Sequence, residues 1–108
     1  MKRRNKFNNT VVFEGEERFD SQKEYNRWKE LCLLERAGAI SNLKRQVSFT
    51  LFEKSQYGRE RVYIADFCYW ENGKYIVEDT KSNITKTPLY RYKKRHMAEK
   101  YGIIILET

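Results

Sequence analysis

At 108 residues, 40% apolar and 15% aromatic, the chain suffices for one domain with a modest core and is too hydrophobic for a disordered tail. Lys and Arg outnumber Asp and Glu by 22 to 15, and the net charge of +7 favours a polyanionic partner, most often nucleic acid. No apolar run approaches about 20 residues, which excludes a membrane-spanning helix.

Residues 1–10 are basic and polar and read as a loose arm; residues 11–108 read as a single domain. The start, Met1-Lys-Arg-Arg-Asn-Lys6, lacks a following apolar stretch and so is not a signal peptide. Val11-Val-Phe13 and Arg18-Phe19 flank Glu14-Gly15, the pattern of a small hairpin. Ser21 followed by Glu24 has the spacing of a capping box, with Phe19 as a staple, and Gly38 is a natural C-terminal stop. A helix is therefore predicted over residues 21–37, with an apolar stripe of Trp28, Leu31, Cys32 and Leu34 and Tyr25 on its flank. Glu24 heads that stripe and has two readings. It closes the capping box, or it points toward whatever the helix packs on.

Residues 46–53 alternate loosely through Val47, Phe49 and Leu51 and are predicted as a strand, followed by a turn at Tyr57-Gly58-Arg59. Residues 61–70 and 74–81 are two strands joined by Asn72-Gly73, the strongest short hairpin signal. Both strands are apolar on both faces, as central strands are. If the turn is tight, Glu71 faces Lys74 and Asp66 faces Asp79, with Lys81 on the same side as Asp79. Directly opposed side chains have Cβ atoms roughly 5 Å apart, and like charges there are destabilising. A bound divalent cation would relieve them. The competing reading is a solvated strand end with a surface ion pair of little worth.

Residues 81–87 are predicted as a polar loop, and Thr87-Pro88 as the cap and first turn of a second helix that Gly102 stops. Leu89, Tyr90, Met97 and Tyr101 supply its buried side, and Arg91, Lys93, Lys94 and Arg95 make it basic. His96 reads as a surface or phosphate-contacting residue, Tyr90 and Lys94 as able to reach the site edge, and Trp70 as exposed beside the hairpin turn. Ile103-Ile-Ile-Leu106 suits a buried strand, parallel to residues 74–81 because the intervening helix allows a crossover. The order is helix, three-strand meander, helix, strand. That is an α/β fold with a mixed sheet and a helix on each face, the first helix bringing Glu24 toward Asp66 and Asp79.

Carboxylates and a lysine in this arrangement suit Mg²⁺-assisted phosphoryl chemistry. Hard cations take oxygen ligands, polarise a phosphoryl oxygen and acidify bound water. Lysine can orient that water or offset charge in the transition state. The short pattern Asp66…Asp79-Thr80-Lys81 across a hairpin, after a helix bearing Glu24, resembles the PD-(D/E)xK nuclease superfamily. Phe19-Asp-Ser, Leu33-Leu-Glu-Arg-Ala-Gly38, Tyr63-Ile-Ala-Asp-Phe67, Val77-Glu-Asp-Thr-Lys81 and Tyr101-Gly-Ile look like a small phage-associated family within it. The likeness runs from about Phe13 to the end. It implies a restriction-endonuclease-like αβββαβ core and metal-dependent endonucleolytic cleavage of DNA, including branched DNA of the Holliday-junction kind. By that resemblance Asp66 and Asp79 are the principal Mg²⁺ or Mn²⁺ ligands, Glu24 a further ligand directly or through water, and Lys81 the residue that positions water. Lys86, Arg91, Lys93, Lys94 and Arg95 hold the DNA backbone. Ala65 stands where the pattern has proline, and Asp79 where glutamate is commoner. Glu78 is adjacent, but alternation turns it to the other face.

No small organic cofactor is expected. Paired cutting by so small a nuclease requires a homodimer. Cys32 and Cys68 lack motif spacing and read as reduced core residues of a cytoplasmic protein, in the bacterial host cell if phage-encoded. Two other functions compete: a non-catalytic DNA-binding module of a phage replication or recombination assembly, and a phage protein that engages a host protein.

Overall fold

The computed structural model describes residues 10–56, 58–81 and 86–108, and the backbone of residues 2–4. The expected loop of residues 81–87 falls largely at residues 82–85, and the expected turn includes Tyr57; these lie outside the described residues. Two helices and two sheets make a mixed α/β fold. Strands β1 (Lys2–Arg4), β2 (Thr10–Glu14) and β3 (Glu17–Phe19) form an antiparallel sheet of three. The second pair is the small hairpin expected around Glu14-Gly15. Lys2–Arg4, read from sequence as part of a loose arm, instead pairs with β2.

Helix α1 (Gln22–Arg36) follows, then β4 (Ser41–Phe52), β5 (Arg61–Glu71), β6 (Lys74–Asp79), α2 (Pro88–Tyr101) and β7 (Leu106–Glu107). The second sheet has the order β4-β5-β6-β7, antiparallel except for parallel β6 and β7. The Asn72-Gly73 turn has positive φ at both residues, 52° and 76°, and sets Glu71 opposite Lys74. β7 is shorter than expected. Ile105 is buried, but Ile104 is 76% exposed, so residues 103–106 are not a continuous buried strand. On α2, Tyr90 and Met97 are buried, whereas Leu89 and Tyr101, expected on that side, are exposed. Among the described residues, no helix is long and apolar enough to cross a membrane.

A helix covers each face of the second sheet. Leu31 of α1, with Trp28 and Leu34 beside it, packs with Phe67, Tyr69 and Ile76. Tyr90 and Met97 of α2 pack with Leu51, Tyr63, Ala65, Cys68 and Val77. Strict alternation would put Tyr63, Ala65, Phe67 and Tyr69 on one face. They divide instead, the first two under α2 and the last two under α1. β4 divides likewise, with Leu43 on the α1 side and Val47, Phe49 and Leu51 on the α2 side. The reversal falls at Gln46 and Asp66, the one position that the ladder skips between Arg45↔Phe67 and Val47↔Ala65. Gln46 has φ 52°, outside the extended range, and resets the alternation of β4.

Candidate functional site: two aspartates and a lysine at the end of the hairpin

β6 alternates regularly. Val77 and Asp79 face α2, and Ile76 and Glu78 face α1. This corrects the expectation that α1 covers the face bearing Asp79. Glu78 is fully buried and fully committed. Arg27 of α1 grips it through Nε at 2.7 Å and through a second nitrogen at 2.9 Å, Tyr69 donates at 2.6 Å and Thr108 at 3.1 Å. Glu78 is thus an anchor for α1, on the sheet face opposite Asp79.

The β5–β6 ladder ends at Phe67↔Glu78, one pair short of Asp66 and Asp79, and Asp79 pairs with Glu107 of β7 instead. The two carboxyl groups nevertheless meet. Burial first, then a hydrogen bond with Asp79 and its charge, push Asp66 up to about 8, against the opposing pull of the Thr80 N–H and Lys81. The Thr80 N–H donates to Asp66 Oδ2 at 2.9 Å. Asp79 is 1% exposed. Its Oδ2 accepts from the Tyr63 hydroxyl at 2.6 Å and lies 3.6 Å from Lys81 Nζ. Its Oδ1 is buried and accepts from no N–H or hydroxyl group among the described residues, which leaves only the Asp66 carboxyl as a donor. Burial and Asp79 hold the Tyr63 hydroxyl protonated, far above the ordinary tyrosine range. Lys81 Nζ also stands 4.5 Å from the centroid of the Tyr90 ring. Asp79, Lys81, Tyr63, Tyr90 and Lys93 line a shallow cavity of about 280 Å³.

Glu24 performs both roles read from the sequence, one with each oxygen. Ser21 Oγ accepts from the Glu24 N–H at 3.1 Å, and Glu24 Oε1 closes the turn by accepting from the Asp20 N–H at 3.3 Å. The box closes on Asp20, one residue before the cap. Oε2 faces inward to Arg45, at 3.3 Å, and to Gln46 Nε2, at 3.4 Å. The same Nε2 lies 3.4 Å from Asp66 Oδ1, so Gln46 stands between Glu24 and Asp66. Burial chiefly, with the charges of Asp66 and Asp20 and against Arg45, pushes Glu24 up to about 7. Among the described residues, no three of His, Cys, Asp and Glu converge as a preformed metal cage.

The basic residues separate into two groups. Lys86 and Lys94 pair with Glu107, at 3.3 and 3.2 Å, and Arg95 pairs with Glu99. Arg91 and Lys93 have no ion-pair partner among the described residues, and Lys93 borders the cavity of Asp79. Lys94 does not line that cavity, whereas Tyr90 does, with its hydroxyl on Glu107 at 2.7 Å. A second cavity, about 430 Å³, lies where α2 meets the end of the chain and includes Lys86, Arg91, Lys94, Arg95 and Glu107. His96 is half-buried with its ring edge-on to Phe52 and Tyr92. Trp70 is 42% exposed and packs on Tyr75. Cys32 and Cys68 are both free.

Four residues of this network carry no mark in the sequence. Tyr63 reads as one more apolar residue of β5, Gln46 as the first residue of the strand expected over 46–53, Arg45 lies just outside that strand, and Glu107 reads as a chain end. Their roles depend on the reversal at Gln46 and Asp66 and on the parallel pairing of β7, which no local pattern encodes.

The fold and site define a mixed α/β protein with a buried aspartate, Asp79, a half-buried one, Asp66, and a lysine gathered where a central hairpin ends. The chain belongs to the family described as a protein of unknown function (DUF1064), whose model matches residues 4–107. No curated protein and no solved structure matches it.

Proposed function

We propose that the chain is a divalent-metal-dependent endodeoxyribonuclease of the PD-(D/E)xK kind, with Asp66, Asp79 and Lys81 at its centre. The observation that carries the reading is Oδ1 of Asp79. No N–H or hydroxyl group among the described residues donates to this buried oxygen, and only the Asp66 carboxyl is left to it; two carboxyl groups brought together at a cavity, with a lysine beside them, are a costly arrangement unless a proton or a cation is shared between them. The donor set fits Mg²⁺ or Mn²⁺. Such ions take one or two protein carboxylates and complete their shell with water and substrate phosphate, so a three-carboxylate cage is not required. The order α1-β4-β5-β6-α2-β7 agrees with an αβββαβ restriction-endonuclease-like core. Glu24 belongs to the outer side of this centre, acting through Gln46 or water.

Bound metal supplies Lewis-acid polarisation of a phosphoryl oxygen and a more acidic water. The chain does the rest. Tyr63 fixes the Asp79 carboxylate, and the Thr80 N–H fixes that of Asp66. Lys81, held over Tyr90, presents its ammonium at the cavity, where it orients the attacking water and offsets charge on the phosphate in the transition state. Lys93 and Arg91 contact flanking phosphates and position the strand. Cleavage of both strands, or of a four-way junction, then uses two copies of the chain.

The test is incubation of plasmid, linear duplex and four-way-junction DNA with Mg²⁺ or Mn²⁺, beside Asp79→Ala and Lys81→Ala. Metal-dependent cutting lost in both variants supports the enzyme. Tight binding with no cutting of any substrate by the wild type means a DNA-binding module instead.

A further inference from the structure

Gln46 is the least comfortable residue of the second sheet. A left-handed backbone costs a residue bearing a Cβ about 1–2 kcal/mol. Asn42 and Asn72, the other non-glycine residues with positive φ among those described, are of a type that tolerates it. Glutamine has no such tolerance. Its conformation is enforced by ladder pairs on both sides, Arg45↔Phe67 and Val47↔Ala65. It turns Arg45 onto the rings of Phe19 and Trp28, with the guanidinium 3.8 and 5.7 Å from their centroids, while Val47 goes under α2. A glycine would make that turn at no steric cost. The turn alone therefore does not account for a glutamine.

The side chain does something a glycine cannot. Its Nε2 lies 3.4 Å from Glu24 Oε2 and 3.4 Å from Asp66 Oδ1. Both distances are long for N–H···O bonds, so neither carboxylate holds the amide tightly. Two carboxylate oxygens equidistant from one positively polarised group are the surroundings a hard cation takes, and carboxamide oxygens are themselves ligands for such cations. The residue is exposed, so the position is open to solvent.

We propose that Gln46 belongs to the divalent-cation site: its NH₂ group bridges Glu24 and Asp66 in the metal-free protein, and its oxygen turns in beside those two carboxylates as a further ligand when metal binds. Rotation about the terminal torsion, which is broad and two-fold, exchanges nitrogen for oxygen without moving the backbone. Glu24 thereby comes within the cation's reach through Gln46. The inference rests on the reading of Asp66 as a cation ligand.

The experiment is a Mn²⁺ titration followed by electron paramagnetic resonance, with thermal unfolding in EDTA and in Mn²⁺, on wild type, Gln46→Met and Gln46→Glu. Methionine keeps the length and the backbone strain and removes only the carboxamide. Gln46→Met is expected to unfold near the wild-type temperature in EDTA and to bind Mn²⁺ about tenfold or more weakly, the usual effect of losing a supporting ligand. Gln46→Glu sets a third carboxylate in the group. It is expected to unfold earlier than wild type in EDTA and to gain a larger rise from Mn²⁺. Wild-type Mn²⁺ affinity in Gln46→Met, or a Mn²⁺-induced rise in Gln46→Glu no larger than in wild type, overturns the proposal. A wild type that binds no Mn²⁺ removes the cation reading along with it. A wild type that binds Mn²⁺ but cuts no DNA, with both variants behaving as expected, upholds the site while the nuclease reading falls.

Discussion

Tyr63 and Asp79 are joined by a buried hydrogen bond of 2.6 Å, which leaves the other oxygen of Asp79 buried with no donor among the described residues except the Asp66 carboxyl. The phenol fixes the carboxylate in one orientation, and the reach of Lys81 Nζ, 3.6 Å from the same oxygen, depends on it. Tyr63→Phe removes only the hydroxyl. A hydrogen bond to a charged group contributes about 1.5–3 kcal/mol, so urea unfolding should show a loss of about 2 kcal/mol. Cleavage should fall as well, because Asp79 is then free to rotate.

Asp79 and Glu78, neighbours on β6, should respond in opposite ways. Glu78 is enclosed by Arg27, Tyr69 and Thr108, and breaking a buried pair from one side costs about 3–5 kcal/mol. Glu78→Gln should therefore unfold early. Asp79→Asn removes one of two touching carboxylates. At pH 9, in EDTA, it should raise stability by about 1 kcal/mol, roughly 4–8 °C in Tm, while abolishing activity. Calorimetry of both variants checks this pair of signs.

Glu24 and Asp66 give stability a definite pH dependence. Their folded values, about 7 and about 8, lie above their ordinary values of 4.5 and 3.8. For an acid with a raised folded value, the folded state holds the extra proton. Its contribution to stability is complete below the unfolded value and disappears as pH rises through the folded one. In EDTA, melting temperature should thus fall between about pH 4 and pH 8. Cations compete with those protons, so Mn²⁺ affinity should rise through pH 7–8. Thermal melts and Mn²⁺ titrations across pH 5–9 test both signs.

Glu107 restrains the basic helix. It holds Lys86, Lys94 and the Tyr90 hydroxyl, whereas Arg91 and Lys93 have no ion-pair partner among the described residues. Lys93→Ala and Arg91→Ala should each weaken DNA binding across sequences and reduce the log–log salt slope by about 1. Glu107→Gln should tighten binding, because two cations lose their internal counter-charge. Fluorescence anisotropy on a short duplex over a KCl series separates these effects.

Much of this architecture is readable in the residues. Asn72-Gly73 fixes the hairpin, Ser21 and Gly38 bracket α1, and Thr87-Pro88 and Gly102 bracket α2, each through a local requirement for a cap or a positive φ. The limits of such reading are equally physical. β4 begins at Ser41 rather than residue 46, because Asn42 and Gln46 leave the extended region and blur its alternation. The same reversal puts Glu24 behind Gln46 instead of directly on Asp66. The side of the sheet that α1 covers follows from Arg27 meeting Glu78, a contact between residues far apart in the chain. The turn transmits register only as far as Phe67↔Glu78, so the direct pairing expected of Asp66 and Asp79 is not made, and the two carboxyls meet beyond the end of the ladder. Tyr63, which holds Asp79, is not legible, because its hydroxyl matters only through a cross-strand contact.

The central claim is that Asp66 and Asp79 jointly hold a divalent cation. Anomalous diffraction from crystals soaked in Mn²⁺ tests it most directly. The account predicts a peak within coordination distance of Asp66 and of Oδ1 of Asp79, absent in crystals of Asp79→Asn. A map with no peak at the hairpin end, or with the same peak in Asp79→Asn, would contradict it.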